Sequence, residues 1–360
     1  MIRFIARKQS SKLLAVIFLP TASNKINGEI IMKIYRLLFF LNFALLFTGC
    51  NGQNRNTKSE KDIYAIGNVI KHFTKEPHYG ATIYTSNCSF EILINDIPII
   101  KYKDNSGGGL AGSYFPLNWD ITKAGKQKIT VRLSPGFNQT TKSMYPTLMK
   151  NSGVKIEIVK TYIVNKSWGD EEEVKNYTTP QNIIQGKEVA TFDGKDYFED
   201  SFDFNSDVPY HINNLDNAEV LNPKDKDKLQ ALEKEVVAKY NEIRDLYLKG
   251  TKDDLADAFY NTEKRFSQQL YQSSAEIKYR WDNDYQFRTD ANLDFFDLKP
   301  IEKYKMTFYA NGKIVCLEKI NNEKSALWGG FKRKDKDVGT TTYIQLYLYR
   351  PKNSNKLEVY

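Results

Sequence analysis

The residues best suited to chemistry gather in "YRWDNDYQFRTDANLDFFD", 279–297, where Trp281, Tyr285 and Phe287 are interleaved with Asp282, Asp284 and Asp290 and with Arg280 and Arg288. Aromatic walls with carboxylates between them suit a polar ligand, either held or hydrolysed. The plainer reading of this stretch is core aromatics with charges paired at the surface. A second group, Tyr114, Phe115 and Trp119, follows the glycine-rich "DNSGGG" at 104–109. Aromatic faces there either stack on a sugar ring or pack inward. His72 and His78 stand six apart, off a shared helical face, and His211 is remote, with no cysteine or paired carboxylate beside them as a metal site requires. The patterns GxSxG, HExxH and GxxxxGK[ST] do not occur. "DEEE" at 170–173 reads as a solvated loop. These residues assign no catalytic set, no metal and no cofactor, and an enzyme is the less favoured expectation.

The 360 residues suffice for two or three cores. The net charge of +8 suggests a nucleic-acid partner until it is located: residues 1–49 hold seven basic side chains against one acid, Glu29, and the remainder is +2. Counterion release needs cations gathered on one face, whereas here the signs interleave, so no nucleic acid is expected.

The concentrated charge belongs to a targeting segment. From Lys33 and Arg36 the chain runs through "LLFFLNFALLF" to Thr48, Gly49 and Cys50. A basic start, a short apolar run and small residues before a cleavage point make a signal peptide, and eleven residues fall short of the about 20 that span a bilayer. The end of this run resembles the lipobox of bacterial lipoproteins, with Phe47 where Leu is usual. The resemblance implies removal of the leader and acylation of Cys50, so that the lipid bilayer is a partner through acyl chains. Asn51, where a retention signal would have Asp, favours the outer membrane of a Gram-negative bacterium, facing the periplasm or the exterior. Residues 1–31 read as an upstream extension, and 50–77, opening "CNGQNRNTKSEKD", as the lipidated cysteine and a tether. Export predicts an oxidising compartment, yet Cys88 and Cys316 read better as buried free thiols than as a disulfide.

The elements that must position the candidate residues follow from periodicity. From 78 to about 217, short runs of period two such as "KITVRLS" and "VKIEIVKTYIV", separated by turns such as Asn95-Asp96, predict an antiparallel β-sandwich. Within it, "FEILINDIPIIKYKDNSGGGLAGSYFPLNWDITKAGKQKITVRLSP" resembles the jelly-roll modules of the galactose-binding-like type, usually non-catalytic companions of glycoside hydrolases. The polar stretch 166–187 reads as an excursion between strands.

Helices are expected at about 223–249, opened by Asn222 and Pro223, and at 252–278, opened by a Thr251–Asp254 capping box. After Pro300, period two returns in a hairpin turning at Asn311-Gly312, in "ALWGGFKRK", in an alternating "TTYIQLYLYR" and in "KLEVY". The second domain, 218–360, is thus a helical hairpin plus a curved antiparallel sheet, and its element order resembles the cone-like fold of the SnoaL and nuclear-transport-factor type. The whole is α+β and multi-domain.

The expected function is a membrane-anchored lipoprotein acting as a non-catalytic binding module for a glycan or a protein, with Tyr114, Trp119, Trp281, Asp282, Asp284 and Tyr285 as candidate contacts. The alternatives are a small-ligand-binding or hydrolytic enzyme with its site in the C-terminal domain, and a periplasmic immunity protein against a toxin. Palmitate labelling of cells expressing the natural chain and Cys50→Ala checks the anchor: label is expected on the first and not on the second, and equal labelling removes the assignment.

Overall fold

The structure is a computed structural model that describes residues 57–103, 109–164, 167–285 and 292–360. Cys50, the leader and most of the glycine-rich loop lie outside these residues.

The fold is α+β. Its first half holds two four-stranded antiparallel sheets. One has β1 (His78–Ser86) between β4 (Ala111–Pro116) and β6 (Gly153–Thr161), with β7 (Glu172–Thr178) outside β6. The other has β2 (Cys88–Ile94) between β3 (Ile97–Tyr102) and β5 (Lys123–Pro135), with β8 (Phe198–His211) outside β5. Ile83 and Ile156 of the first sheet share one apolar cluster with Phe90, Ile92, Val131 and Phe204 of the second. The β2–β3 turn is the tight one expected, with φ of 51° at Asn95 and 65° at Asp96. The polar stretch 166–187 is not wholly an excursion: Glu172–Thr178 joins the sheet as the exposed edge strand β7, and charged residues suit an edge because they discourage pairing with another chain, whereas Gln181–Ile184 pairs outside that sheet with Lys187–Ala190.

In the second half, α2 (Lys226–Lys249), α3 (Lys252–Gln269) and α4 (Ser274–Tyr285) pack with two sheets. One sheet contains β9 (Leu293–Leu298), β12 (Trp328–Arg333) and β13 (Thr340–Tyr343). The other contains β10 (Tyr304–Tyr309), β11 (Ile314–Lys319), β14 (Leu348–Tyr349) and β15 (Glu358–Val359). Leu232, Val236, Tyr240, Ile243 and Tyr247 of α2 are buried at the expected helical spacing.

Several boundaries move, each for an identifiable reason. The cap of α2 is Asp225, whose carboxylate accepts from the Lys228 amide at 2.9 Å, while Leu221 just before it is drawn to Gly312 O at 2.7 Å. The Thr251–Asp254 capping box forms as read. The single helix expected at 252–278 breaks after Gln269, where Tyr271 takes φ of 52° and drops its ring into the cluster of the first half. The hairpin loop is Ala310–Lys313, four residues rather than two, with positive φ at Ala310, Asn311 and Gly312. "TTYIQLYLYR" is two strands in different sheets, because the chain crosses from one to the other between Tyr343 and Leu348.

Residues 58–70, read as tether, carry α1 (Glu60–Ala65) and a following helical turn. Ile63, Ile66 and Ile70, spaced three and four, enter the C-terminal core, and Gly67 comes so close to α4 that a Cβ there would meet the Ser274 amide nitrogen at 2.5 Å. Cys88 and Cys316 are buried free thiols.

Tyr240 shows how the C-terminal core is closed. Its buried hydroxyl donates to Leu346 O at 2.6 Å and accepts from the Leu317 amide at 2.8 Å. Tyr240→Phe leaves both backbone groups without that partner and is expected to cost about 2–4 kcal/mol in chemical denaturation; a change under about 0.5 kcal/mol would show that the bonds contribute nothing net.

Candidate functional site

The described residues enclose a cleft of about 660 Å³ between the two halves. Its walls come from β3, the segment 115–120, α3, the turn after β11 and the crossover 343–347. The positioning begins at Asn118, which is 1% exposed. Its Oδ1 accepts from the Tyr79 amide at 2.6 Å, and its Nδ2 donates to Pro77 O at 3.0 Å and Gln269 O at 3.1 Å. The short 3₁₀ turn Asn118–Asp120 is thereby pinned to both halves and holds Trp119 outward, 43% exposed and tilted over Phe266 with ring centres 5.8 Å apart.

Beneath the turn lies Arg265, only 4% exposed. Nη1 donates to Trp119 O at 3.0 Å and Gln269 Oε1 at 3.1 Å, and the guanidinium lies 3.9 Å from the Tyr360 ring centre and 4.3 Å from that of Phe266. Arg265 Nε and the Tyr360 hydroxyl are buried, with no hydrogen-bond partner among the described residues. Asp120 also lines the cleft; burial pushes its carboxyl up to about 7, an effect that the Arg265 charge only partly opposes.

At the other end the charges are paired. Lys101 Nζ reaches Glu318 at 3.0 Å, Glu91 at 3.1 Å and Glu323 at 3.6 Å. Burial opposes the charge on Lys101, but Glu318 and Glu91 raise its pKa on balance. Burial likewise opposes ionisation of Glu323, yet Lys103 at 2.8 Å and Lys305 at 2.7 Å hold its carboxyl down at about 2. The Tyr309 hydroxyl donates to this acidic group, 2.9 Å from Glu318 Oε1.

The residues singled out in the sequence do not come together. Trp119 stands at the cleft, and Phe115 lines it. Tyr114 is 47% exposed, outside the cleft lining, with its ring against Gly80 of β1. Trp281 is fully buried in the C-terminal core, one helical turn from Ile277. Asp282 is partly buried, 2.6 Å from Lys278 and accepting from the Tyr64 hydroxyl at 2.8 Å; these bonds outweigh burial and lower its pKa. The side chains of Asp284 and Tyr285, and all of Asp290, lie outside the described residues. His78 is buried between Trp168 and Tyr271, and burial lowers its pKa. Among the described residues no group of three or more His, Cys, Asp or Glu is placed to hold a metal ion, and no helix is long and apolar enough to cross a membrane.

The sequence does not single out Asp120, Arg265 or Tyr360. Asp120 sits beside Trp119 in "FPLNWDIT", and Arg265 directly before Phe266 in the apolar stripe of α3, but nothing local marks either as part of a site.

The raised carboxyl gives a signed pH dependence. An acid whose folded pKa exceeds its unfolded value of 3.8 binds more protons when folded, so stability falls as pH rises between about 4 and about 7. Asp120→Asn is therefore expected to match the natural protein near pH 4 and to exceed it above pH 7 by up to about 4 kcal/mol. Denaturation midpoints from pH 4 to 8 test this, and parallel curves would show that Asp120 ionises normally. No protein-family model, curated protein or solved structure matches this chain.

Proposed function

We propose that the protein is an exported, lipid-anchored binding protein that holds a glycan in the cleft beside Trp119. The observation that carries this reading is a half-exposed indole at a cleft whose interior holds buried polar groups with unused hydrogen-bonding capacity. Sugar rings are bound by stacking their apolar face on an aromatic plane and directing hydroxyls at fixed polar groups. Trp119 supplies the plane, and Arg265, Tyr360 and Gln345 supply polar groups.

Binding without catalysis is favoured because the other acids of the cleft are held by cations: Glu263 by Arg280 at 2.7 Å, Glu318 by Lys101, and Glu323 by three lysines. Glycoside hydrolysis calls for two carboxyls of opposed roles, and among the described residues of the cleft only Asp120 is left without such a partner. The pairing of Asp282 with Lys278 likewise gives no support to a hydrolytic site in the C-terminal half.

The architecture supports the finer readings. Two four-stranded sheets around one core fit a jelly-roll module of the galactose-binding-like type for 78–217, and helices packed with antiparallel sheets fit a cone-like second domain. The lipobox ending at Cys50 supports a bilayer anchor and a Gram-negative outer membrane as the address.

Screening of the labelled protein on an oligosaccharide array, with hits titrated by calorimetry, is expected to find saturable binding that Trp119→Ala weakens by tenfold or more with the circular dichroism unchanged. Absence of array binding, or equal binding by Trp119→Ala, would overturn the assignment of this cleft.

A further inference from the structure

We propose that the Arg265 end of the cleft is an anion subsite that takes the carboxylate of a uronic acid within the bound glycan. The inference rests on the cleft being the ligand site and adds the class of ligand.

The argument begins with a charge that lacks its counterpart. A buried guanidinium is costly unless paired and hydrogen-bonded. Each of the other described arginines, 132, 244, 280, 333 and 350, has a carboxylate oxygen within 4.0 Å. Arg265 is more deeply buried than any of them, at 4% exposure, and has none among the described residues. Two of its five donors are used on Trp119 O and Gln269 Oε1, and Nε has no partner. The Tyr360 hydroxyl, on the ring that the guanidinium covers, is a second unused buried donor.

The rest of the cleft does not supply the missing anion. Glu263, Glu318 and Glu323 are occupied by other cations. Asp120 lies beyond ion-pair distance of Arg265, and burial favours its protonated form up to about pH 7, so a ligand carboxylate entering below that pH meets an acid able to donate a proton rather than a fixed negative charge. Lys324, over the Tyr343 ring at 5.2 Å, adds a second cation to the lining with no carboxylate of the described residues within 4.0 Å.

The geometry also selects the ligand. Arg265 Nη1 is bonded to the carbonyl of Trp119, so the cation sits beneath the same residue whose indole offers the stacking plane. A hexuronate carries its carboxylate on the pyranose ring and presents an apolar face and a single negative charge together. One charge matches one buried cation, whereas a phosphate dianion would leave excess negative charge in a low-dielectric site.

The test uses the full chain and matched pairs: oligomers of glucuronate, galacturonate and mannuronate, each beside its carboxyl-reduced neutral counterpart, titrated by calorimetry at pH 6. At least one acid is expected to bind tenfold or more tightly than its neutral partner, since a charge-assisted bond is stronger than a neutral one. Arg265→Gln should bring that ratio to within about twofold, with the neutral oligomer as the reference that absorbs any loss common to both ligands. Tyr360→Phe, a milder change, should lower the acid-to-neutral ratio by about threefold or more. An acid-to-neutral ratio near one for every pair overturns the inference even if Arg265→Gln fails to fold. So does tighter binding of a glucose phosphate titrated in parallel, or a ratio that survives in both variants. If Trp119→Ala weakens every ligand while the ratio is one, the cleft reading stands and only the anion subsite falls. If Trp119→Ala changes nothing, or no ligand binds, both fall.

Discussion

Lys101 is a cation withdrawn from water where the two halves meet, and its surroundings set the geometry of the molecule. It extends from β3 of the first half to Glu318 of β11 in the second, with Glu91 of β2 completing the group. Such a cluster is stable only when its members are all present and hydrogen-bonded, which makes it sensitive to register. Around it the β2–β3 hairpin is pressed into the second half: Leu93 and Ile97 are buried with Ile314, Cys316 and Tyr349, and the Asn311 amide donates to Asp96 Oδ2 at 2.8 Å. The tips of two hairpins, each with positive φ at its turn, thus bind one another. An apolar patch gives this joint its affinity, and the ionic cluster gives it a single register.

The cleft is a consequence of that joint. With β3 held against β11, the turn 118–120 faces α3, and Asn118, Arg265 and Gln269 bind the two across the gap. These bonds use the polar groups that would otherwise be stranded at a buried contact between halves. What they leave over, a guanidinium nitrogen, a tyrosine hydroxyl and a raised carboxyl, is concentrated at one end beneath an exposed indole. Unused hydrogen-bonding capacity of this kind is uncommon in folded proteins and is the physical ground for assigning a ligand there.

The aromatic and acidic run at 279–297 illustrates how composition misleads without orientation. Trp281 and Asp282 are adjacent, so on a helix they point about 100° apart; one completes the core with Ile277 and the other pairs with Lys278. Trp119 and Tyr114 are separated in the same way, the first carried by a turn that faces the cleft and the second by an edge strand lying over Gly80.

Local order was largely legible in the sequence, because it depends on neighbours a few residues apart. Ile129, Val131 and Leu133 alternate and are buried, the α2 stripe repeats every three or four residues, Asn95-Asp96 takes the positive φ that a tight turn needs, and Thr251 with Asp254 caps α3. Where the reading failed, a distant contact intervened. Ile63, Ile66 and Ile70 form a packed helix although a polar run precedes them, and Tyr271 breaks a helix to enter the other core. The cleft belongs wholly to this second kind. Lys101, Asp120, Arg265 and Tyr360 are scattered across 260 positions, and only their docking removes water from them and leaves some of their hydrogen bonds unmade. Periodicity reports which face of an element is buried, but which charge is left without a partner depends on what lies across the seam.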